Sequence, residues 1–256
     1  MSVFQGRTGM YSSTSICIVV PTYNEADNVP QLITRIGALG ISDLTLVLVD
    51  DNSPDGTADL AESVKKNSDI CVHVLRGQAK SGLGTAYVKG FRWVLEREFN
   101  VIIQMDADLS HSPEYIPKML KLLDKYQVVV GSRYITNGLV DEDWHWTRKC
   151  LSWIGNYAIR KIAYLQVNDV TSGFKAYRRS ALSYIDFDLA RCKGFGFQSE
   201  IAYICQLMGL KIVELPIIFS DRQLGTSKMS LGIIMEAVVK MIYIRVKLRR
   251  LSLIHI

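Results

Sequence analysis

Short, almost uninterrupted apolar runs alternate with segments of helical spacing over the first half of the chain, and this alternation restricts the fold more than any other feature. The predicted strands lie within 15–25, 44–57, 70–77, 100–110 and 127–134. The predicted helices cover 28–40, 57–67, 82–97 and 112–126. Strands that are apolar on both faces are typical of parallel sheets covered by helices on both sides. The sequence therefore predicts an α/β fold.

The pattern changes after residue 134. Long loops and one helix, at 146–164, are expected as far as residue 200, followed by a strand at 210–222. No repeat, low-complexity stretch or linker interrupts the chain. We therefore expect one domain over 1–228, with 1–14 as a flexible N-terminal segment, and a helical C-terminal extension over 229–256.

Composition and charge limit the function classes. The net charge is +5 and the pI about 8.9, which is compatible with phosphates, nucleic acid or an anionic membrane as partners. The five cysteines form no CxxC pair, so that a reducing compartment is favoured over a disulfide framework or a zinc site. The N-terminus lacks the apolar core of a signal peptide, and no window has the roughly 18 apolar residues of a spanning helix. A cytosolic, non-spanning protein is expected.

Acidic side chains collect where the predicted strands end. Glu25 follows the first strand, Asp50 and Asp51 end the second, and Asp106 and Asp108 end the fourth. Ligands bind outside the carboxyl ends of strands in open α/β sheets. A D-x-D pair can hold a divalent cation that is shared with a diphosphate, and it is equally compatible with a solvated turn. Because carboxylates at one edge repel each other, cations or hydrogen-bond donors are expected to pair with them.

Basic residues provide candidates for phosphate binding. Arg133 ends the fifth strand, while Arg222 and Lys228 lie in the segment DRQLGTSK. Each is compatible with a clamp on a phosphate, and a solvated surface position is the simpler interpretation except for Arg133, which follows VVVGS directly and so lies at the sheet edge. The stretch GLGTAY lacks the third glycine of a dinucleotide fingerprint and does not follow the first strand, so that an NAD site is not expected.

The sequence leaves the roles of two further features open. The segment GFGFQSE (194–200) is interpreted as a flexible loop that acts as a lid or packs down on the domain. His111, close to the D-x-D pair, is interpreted as a group that supports the acidic residues or as an ordinary neighbour of a helix cap. The four histidines show no metal-binding spacing.

Eight motifs occur in the order that is found in one enzyme family. They are VVPTYNEADNVPQLI, VLVDDNSPDGTAD, GLGTAYVKGF, QMDADLSHSPEYIP, VVVGSRY, DVTSGFKAYRRSAL, GFGFQSEIAY and LPIIFSDRQLGTSKMS. From about residue 15 to about residue 235 the chain resembles the polyprenol-phosphate (dolichol-phosphate) mannosyltransferases of glycosyltransferase family 2. DADLSH, TSGFKAYRR and DRQLGTSKMS point to this subgroup.

The resemblance implies a GT-A fold, which is a Rossmann-like, mostly parallel sheet with helices on both faces, and the residue pattern described below adds a C-terminal amphipathic helix. It implies the inverting transfer of mannose from GDP-mannose to a polyprenol phosphate, with Mg²⁺ or Mn²⁺ as cofactor. A UDP-sugar donor such as UDP-glucose is the alternative within the same fold.

The resemblance also assigns site residues. The donor would be bound by Pro21, Tyr23, Glu25, Val49, Asp51, Asp106, Ala107, Asp108, Arg133, Arg222 and Lys228. Asp106 and Asp108 would hold the metal, with Asp108 as the more direct ligand. Catalysis would depend on Asp108, Arg133 and Arg222. Some relatives have a metal-binding glutamine two residues after the second aspartate, where this chain has Ser110.

The acceptor chemistry requires few residues. A phosphate oxygen is already anionic, so that no strong general base is needed, and the metal and arginines would stabilise charge on the leaving diphosphate. We hypothesise that Arg148 and Lys149, in WTRKC, seat the acceptor phosphate.

The C-terminal segment bears on membrane binding. One polar stripe at steps of four and three residues runs along an otherwise broadly apolar helix, and it comprises Glu236, Lys240, Tyr243, Lys247 and Arg250. Such a helix is typical of a membrane interface, and packing on the domain or on a partner subunit is the equal alternative. The expected partners are GDP-mannose, polyprenol phosphate and the cytoplasmic face of a membrane, bound peripherally. A membrane-protein subunit is left open, and no nucleic acid is expected.

Two readings from other classes remain open. DADLS resembles the loop of phosphohydrolases that use an aspartate nucleophile, although that class places the motif after its first strand. A non-catalytic nucleotide-binding or scaffold protein with the same fold is the second alternative.

Overall fold

The computed structural model describes residues 14–140, 146–188, 192, 194, 196–220 and 231–252. Its strands are β1 (Ile16–Thr22), β2 (Leu44–Asp50), β3 (Cys71–Arg76), β4 (Val101–Gln104), β5 (Val128–Ser132), β6 (Leu139–Val140), β7 (Lys175–Arg178), β8 (Ile212–Pro216) and β9 (Ile218–Phe219). Its α-helices are α1 (Val29–Gly37), α2 (Thr57–Val64), α3 (Leu83–Leu95), α4 (Ile116–Leu122), α5 (Trp146–Ala163), α6 (Arg179–Ser183), α7 (Gly196–Leu207) and α8 (Leu231–Ser252). The predicted flexible segment 1–14 lies outside these ranges except for its last residue.

A seven-stranded sheet in the order β3–β2–β1–β4–β7–β5–β8 organises the domain, and β6 pairs separately with β9. β1 runs parallel to β2 and β4, β2 runs parallel to β3, and β5 runs parallel to β8. β7 is antiparallel to both of its neighbours, β4 and β5. The predicted mostly parallel α/β sheet is confirmed.

Alternate residues of the central strand β1 face two hydrophobic cores, because successive side chains of a strand point to opposite faces. Cys17 and Val19 pack with residues of α3, α5, α7 and α8. Ile16, Ile18 and Val20 pack with residues of α1, α2 and α4. Helices thus cover both faces of the sheet, as the apolar strands predict.

The prediction of long loops and one helix over residues 135–200 is wrong at four elements, which are β6, β7, α6 and α7. β7 lies in the large sheet, in a region predicted to contain loops and one helix. Helix α7 begins at Gly196, so that most of GFGFQSE is helical rather than a flexible loop. β7 has the sequence KAYR, which lacks the apolar run by which the other strands were recognised. Its place in the sheet is fixed by its partners.

Helix α8 packs on the domain through one face. Ala237, Met241 and Ile244 are buried in the core that also contains residues of α5 and α7. Tyr243 of the predicted polar stripe is exposed, as are the apolar Val239 and Ile242 beside it. The side chains of Glu236, Lys247 and Arg250 lie outside the described part of the chain. Of the helices described, none is both long and apolar enough to cross a bilayer.

Substitution of Gly90 by alanine tests the packing of α3 against the sheet. A methyl group on Gly90 would lie 2.4 Å from Val19 Cγ1 and 3.0 Å from Val49 Cγ2. We expect Gly90→Ala to lower the free energy of unfolding by about 1–3 kcal/mol, because a filled core resists added volume. Gly37→Ala is the control, since Gly37 also lies in a helix but its added methyl would have nothing within 4 Å. Urea unfolding in which the two variants are equally stable would contradict this packing.

Candidate active site

The carboxyl ends of three adjacent parallel strands form one edge of the sheet. Thr22, the last residue of β1, lies opposite Asp50, the last residue of β2. On the other side of β1, Val19 lies opposite Gln104 at the end of β4. The residues that follow these strands therefore meet at this edge, which is where open α/β sheets bind ligands.

A cavity at this edge gathers most of the residues predicted to bind the donor. It is lined by Pro21, Thr22, Tyr23, Glu25, Asp51, Lys80, Gly82, Leu83, Ala86, Asp106, Ala107, Asp108 and Gly194. Glu25, Asp51 and Asp108, which follow three different strands, thus share one cavity as the sequence predicts. Among the described residues predicted to bind the donor, Val49 and Arg133 do not line it.

The chain turns away from each of these three strands through a residue with a left-handed backbone. Asn24, Asn52 and Leu109 have φ angles of 60°, 61° and 60°. Asparagine tolerates this conformation, whereas leucine adopts it at a cost of about 1–2 kcal/mol. The side chain of Leu109 is buried in the same core as Ile103, and that burial offsets the cost. The turn after the D-x-D pair is therefore fixed by packing.

Hydrogen bonds from neighbouring loops hold Asp50 and Asp51. Asp50 accepts hydrogen bonds from Ser53 N at 3.0 Å and from Thr22 Oγ1 at 3.2 Å. Asp51 accepts from Ser81 N at 2.8 Å, Ser81 Oγ at 2.6 Å and Gly82 N at 2.7 Å. For these two residues the chain itself supplies the donors that crowded carboxylates require. Asp51 thereby fixes the glycine-rich entry to α3 against the end of β2.

The D-x-D segment is built around His111. Asp106 N donates a hydrogen bond to His111 Nδ1 at 3.3 Å, and the His111 ring stacks 5.2 Å from the Phe174 ring. Burial lowers the pKa of His111, which favours the neutral ring that can accept this bond. Asp108 Oδ1 accepts from Ser110 N at 3.1 Å. Of the two interpretations of His111, the geometry favours a group that supports the acidic residues.

Lys80 is a cavity residue that sequence reasoning missed. Its Nζ lies 3.7 Å from the centroid of the Tyr23 ring, within the range of a cation–π contact. The other charged residues among those lining the cavity are carboxylates. Its position in KSGLG, directly before the α3 entry that Asp51 holds, is the signal that identifies it.

Arg133 forms a buried ion pair. Its Nε and Nη2 donate to the two Asp169 oxygens at 2.7 and 2.8 Å, and Nη2 also donates to Thr171 Oγ1 at 2.8 Å. Burial opposes the charge on Arg133, but Asp169 outweighs it and the net pKa of Arg133 is raised. Burial likewise opposes the ionised form of Asp169, whose pKa is nevertheless lowered by Arg133. Arg133 is a fixed cation, and its contact with the donor stays a prediction.

Of the other three residues predicted to bind the sugar-nucleotide donor, one lies outside the cavity and two lie outside the described part of the chain. Val49 is buried in the core, where its Cγ2 lies close to Gly90. Arg222 and Lys228 lie outside the described residues. Their roles remain predictions.

The predicted acceptor residues lie at the start of α5, a helix that is hydrogen-bonded to the residue after Arg133. Arg148 and Lys149 are in the first turn of α5. The Tyr134 hydroxyl, next to Arg133, lies 2.8 Å from Ser152 Oγ in the following turn of α5. This hydrogen bond holds the start of α5 against the end of β5, and the acceptor role of the two basic residues stays a prediction.

A buried lysine lies beside the strand that carries the D-x-D pair. Lys175 in β7 is opposite Gln104 in β4 and is only 1% exposed. Its Nζ donates to Ser172 O and, at 3.0 Å, to Gln198 Oε1, which also accepts from Gln104 Nε2 at 2.5 Å. Burial lowers the pKa of Lys175 to about 8, against the opposing effect of Asp169. Sequence reasoning missed this residue because a lone lysine carries no signal of burial.

Comparison with solved structures gives the fold. The chain is similar to glucosyl-3-phosphoglycerate synthase from Mycobacterium tuberculosis in complex with Mn²⁺, uridine diphosphate and glucosyl-3-phosphoglycerate, with a TM-score of 0.67, 17% identity, and 91% of this chain and 80% of that chain covered. A complex of the same synthase with Mn²⁺, UDP-glucose and glycerol 3-phosphate gives a TM-score of 0.65 at 18% identity, with the same coverage. At this identity the likeness shows the fold, which is the predicted GT-A fold.

Sequence comparison gives the family. The profile described as glycosyl transferase family 2 matches residues 17–185. The chain is 42% identical over 224 residues to undecaprenyl-phosphate mannosyltransferase of Micrococcus luteus, covering 88% of this chain and 91% of that protein. It is 39% identical over 224 residues to polyprenol monophosphomannose synthase of Mycolicibacterium smegmatis, covering 87% and 84%. The chain belongs to glycosyl transferase family 2 and is a glycosyltransferase.

The lowered pKa of Lys175 predicts that the free energy of unfolding depends on pH. Its pKa is about 8 in the folded chain and 10.5 when it is unperturbed. Between these values the unfolded chain binds more protons, so that the contribution of this residue to the free energy of unfolding rises with pH. We expect wild type to gain up to ~3 kcal/mol relative to Lys175→Met across this window.

The comparison with Lys175→Met, by urea unfolding at each pH, also removes a competing effect. Burial raises the pKa of the Cys17 and Cys205 thiols, and deprotonation of these thiols in the unfolded chain lowers stability in the same alkaline range. For Cys17 that loss is common to both proteins and cancels in the difference, whereas for Cys205 the part that depends on the Lys175 charge remains. A difference that stays constant from pH 8 to pH 10.5 would contradict the buried position of Lys175.

Proposed function

We propose that the protein is an inverting enzyme that moves mannose from GDP-mannose to a polyprenol phosphate, with Mg²⁺ or Mn²⁺ as cofactor. The observation that carries the proposal is the single cavity shared by Glu25, Asp51, Asp106 and Asp108. Support for the sugar and the acceptor comes from two relatives, named as an undecaprenyl-phosphate mannosyltransferase and a polyprenol monophosphomannose synthase, which match this chain over most of their length.

The D-x-D pair suits a divalent cation that takes only part of its coordination from the protein. Carboxylate oxygens are preferred ligands of Mg²⁺ and Mn²⁺. Within the described ranges no group of three or more His, Cys, Asp or Glu side chains is arranged to hold a metal. We therefore propose that Asp106 and Asp108 are the protein ligands and that the donor diphosphate and water complete the shell. A cation there would stabilise the charge on the leaving diphosphate.

The remaining cavity residues are proposed to hold the nucleotide and its phosphates. Pro21, Tyr23 and Glu25 line the cavity. Asp51 is proposed to contribute by fixing the loop that starts α3, in addition to any direct contact with the ribose. Lys80 adds a cation to the predicted set of Arg133, Arg222 and Lys228, which is suited to phosphate charge.

The transfer depends more on the orientation of the acceptor phosphate toward the anomeric carbon than on removal of a proton from the acceptor. An anionic oxygen of the acceptor phosphate attacks the anomeric carbon while the bond from that carbon to the diphosphate breaks, and GDP leaves with the bonding electron pair. Attack opposite the leaving group inverts the configuration. No proton has to be removed from the nucleophile. We propose that Arg148 and Lys149 seat the acceptor, because the helix that carries them is hydrogen-bonded to Tyr134, two residues after the end of β5.

A two-helix apolar surface supports peripheral binding to a membrane. Large exposed apolar side chains lie on or next to α5 and α8, and we call this set the α5–α8 surface: Trp146, Trp153, Ile154, Tyr157, Tyr164, Met235, Val239, Ile242, Tyr243 and Val246. Arg245 of α8 donates to Ile162 O at 2.7 Å and stacks 4.2 Å from the Tyr164 ring. Exposed aromatic rings beside cations are suited to the headgroup region of a bilayer. The helix thus packs on the domain and still presents apolar groups outward.

A cytoplasmic location is proposed from cysteine chemistry. All five cysteines are free, and Cys71 and Cys150 are exposed, which suits a reducing compartment. The α5–α8 surface would then face the cytoplasmic leaflet, whose anionic lipids attract basic segments. A membrane-protein subunit on the same surface is the alternative partner, and we expect no nucleic-acid partner.

A donor panel with Asp108→Ala tests the proposed function. Short-chain polyprenol phosphate is incubated with GDP-mannose, UDP-glucose and other sugar nucleotides, each with Mg²⁺ and with Mn²⁺. We expect GDP release to depend on both the lipid and the metal, and to fall about 100-fold or more in Asp108→Ala, because a charge-stabilising group is lost. Asp69→Ala is the control, since Asp69 is an exposed carboxylate before β3, at the opposite end of that strand from the cavity edge.

Each other outcome of this assay identifies a different protein. If UDP-glucose is the only sugar nucleotide that supports turnover, the donor is a UDP-sugar and the proposed type of reaction is unchanged. Release of inorganic phosphate without lipid would indicate a phosphohydrolase, and nucleotide binding without turnover would indicate a scaffold. Retention of most turnover by Asp108→Ala would mean that the cation is held elsewhere.

Vesicle binding tests the α5–α8 surface. Trp153 and Tyr157 stack at 5.3 Å and both are exposed. We expect Trp153→Ser/Tyr157→Ser to bind vesicles that contain anionic lipid about tenfold or more weakly in co-sedimentation, because the apolar area that inserts is reduced. Tyr184→Ser is the control, since Tyr184 is an exposed aromatic residue outside these helices. Equal sedimentation of the two variants would exclude this surface.

A further inference from the structure

Three groups surround the Asp106 carboxylate at the end of β4. The Tyr87 hydroxyl, from α3, donates to Asp106 Oδ1 at 3.1 Å. Gly173, in the segment before β7, faces the carboxylate from another side. His111 Nδ1 lies 3.7 Å from Asp106 Oδ2 and accepts from the Asp106 backbone. The carboxylate is therefore enclosed by residues from separate parts of the chain, while it still lines the cavity.

The Tyr87 hydroxyl is a rigid donor. Its ring is fully buried and stacks on Phe197 of α7, with the ring centroids 5.7 Å apart and the planes 7° from parallel. A second ring, Phe91, lies 5.7 Å away. A tyrosine hydroxyl keeps its proton at neutral pH, because its unperturbed pKa is about 10. A protonated phenol beside a carboxylate donates a charge-assisted hydrogen bond.

Gly173 leaves the space that the carboxylate occupies. A methyl group on Gly173 would lie 2.8 Å from Asp106 Oδ2 and 3.0 Å from Oδ1. These distances are shorter than van der Waals contact, so that any larger residue at this position would move the carboxylate. The backbone of Gly173 is held in turn, because its carbonyl accepts from Gln104 Nε2 at 3.2 Å.

We infer that Tyr87 and Gly173 are positioning residues that hold the Asp106 carboxylate in the orientation in which it serves the divalent-cation site. The inference rests on the proposed function. Tyr87 directs one oxygen by a hydrogen bond, and the missing side chain of Gly173 leaves the space that the carboxylate occupies in this orientation. Because Tyr87 packs on Phe197, the orientation of Asp106 also depends on the seating of α7 against α3.

A second buried tyrosine gives a matched control. Tyr177 is also fully buried, packs against Phe91, and donates its hydroxyl to Gln104 Oε1 at 2.7 Å. Its partner is a neutral amide two residues before Asp106. Tyr87→Phe and Tyr177→Phe therefore remove the same group from equally buried sites. The hydrogen bond lost in Tyr87→Phe ends on Asp106 itself, whereas the one lost in Tyr177→Phe ends on Gln104, which reaches Asp106 only through the Gly173 carbonyl.

The experiment measures Mn²⁺ binding to the purified full chain in the presence of GDP, and again in the presence of UDP, by the electron paramagnetic resonance signal of free Mn²⁺. We expect the Mn²⁺ dissociation constant to rise about 10–100-fold in Tyr87→Phe, which is the effect of losing a group that orients a metal ligand. Tyr177→Phe should stay within about twofold of wild type. Thermal unfolding should be similar for the two variants, so that a general loss of stability does not account for the difference.

Two further variants test whether the effect passes through Asp106. Gly173→Ala should weaken Mn²⁺ binding in the same direction as Tyr87→Phe, whereas Gly37→Ala should not. In an Asp106→Ala background, adding Tyr87→Phe should cause no further loss of nucleotide affinity at saturating Mn²⁺, because the partner of the hydroxyl is gone.

The outcomes separate this inference from the proposed function. If wild type binds neither nucleotide in a Mn²⁺-dependent way, the proposed function fails and the inference falls with it. If wild type binds normally and Tyr87→Phe behaves as Tyr177→Phe does, the inference alone is overturned. If Tyr87→Phe lowers the nucleotide affinity equally in the wild-type and the Asp106→Ala backgrounds, the role of the hydroxyl is purely structural.

Discussion

The parallel pairing of β1 with β2 on one side and β4 on the other is the constraint on which the rest of the structure depends. It aligns Thr22 with Asp50 and Val19 with Gln104, so that three strand ends reach the same edge. A shift of the register by one residue would turn the apolar residues of β1 toward the wrong cores. Because β1 is apolar on both faces, the close fit of particular side chains, such as Val19 and Val49 against Gly90, fixes the register, and the register brings the acidic residues together.

Carboxylates that converge in this way need hydrogen-bond donors, and many of these donors come from the loops and helices around the cavity. Asp50 is held by the turn that follows it, Asp51 by the loop at Ser81 and Gly82, and Asp106 by Tyr87. Each hydrogen bond lowers the repulsion and also fixes a side chain or a loop. The outcome is a preorganised cavity, in which binding a charged ligand requires little rearrangement.

The second half of the chain completes the site from the other side of β4. β7 inserts antiparallel beside β4 and brings Gly173 against Asp106 and Lys175 opposite Gln104. The same insertion lies next to the buried pair of Arg133 and Asp169. DADLSH and TSGFKAYRR, which are far apart in the sequence, are thus parts of one structure.

The sequence by itself determined the α/β class, the strands that carry Glu25, Asp51 and Asp108, and their common edge, because apolar runs and strand ends are local patterns. It did not reveal β7, the helical start at Gly196, or the partners Tyr87, Lys80 and Lys175. A four-residue strand with two basic residues has no local signature, and a tyrosine in an amphipathic helix reads as an ordinary core residue. Only the tertiary structure decides these features, because their burial and hydrogen bonds come from residues that are distant in the chain and adjacent in space.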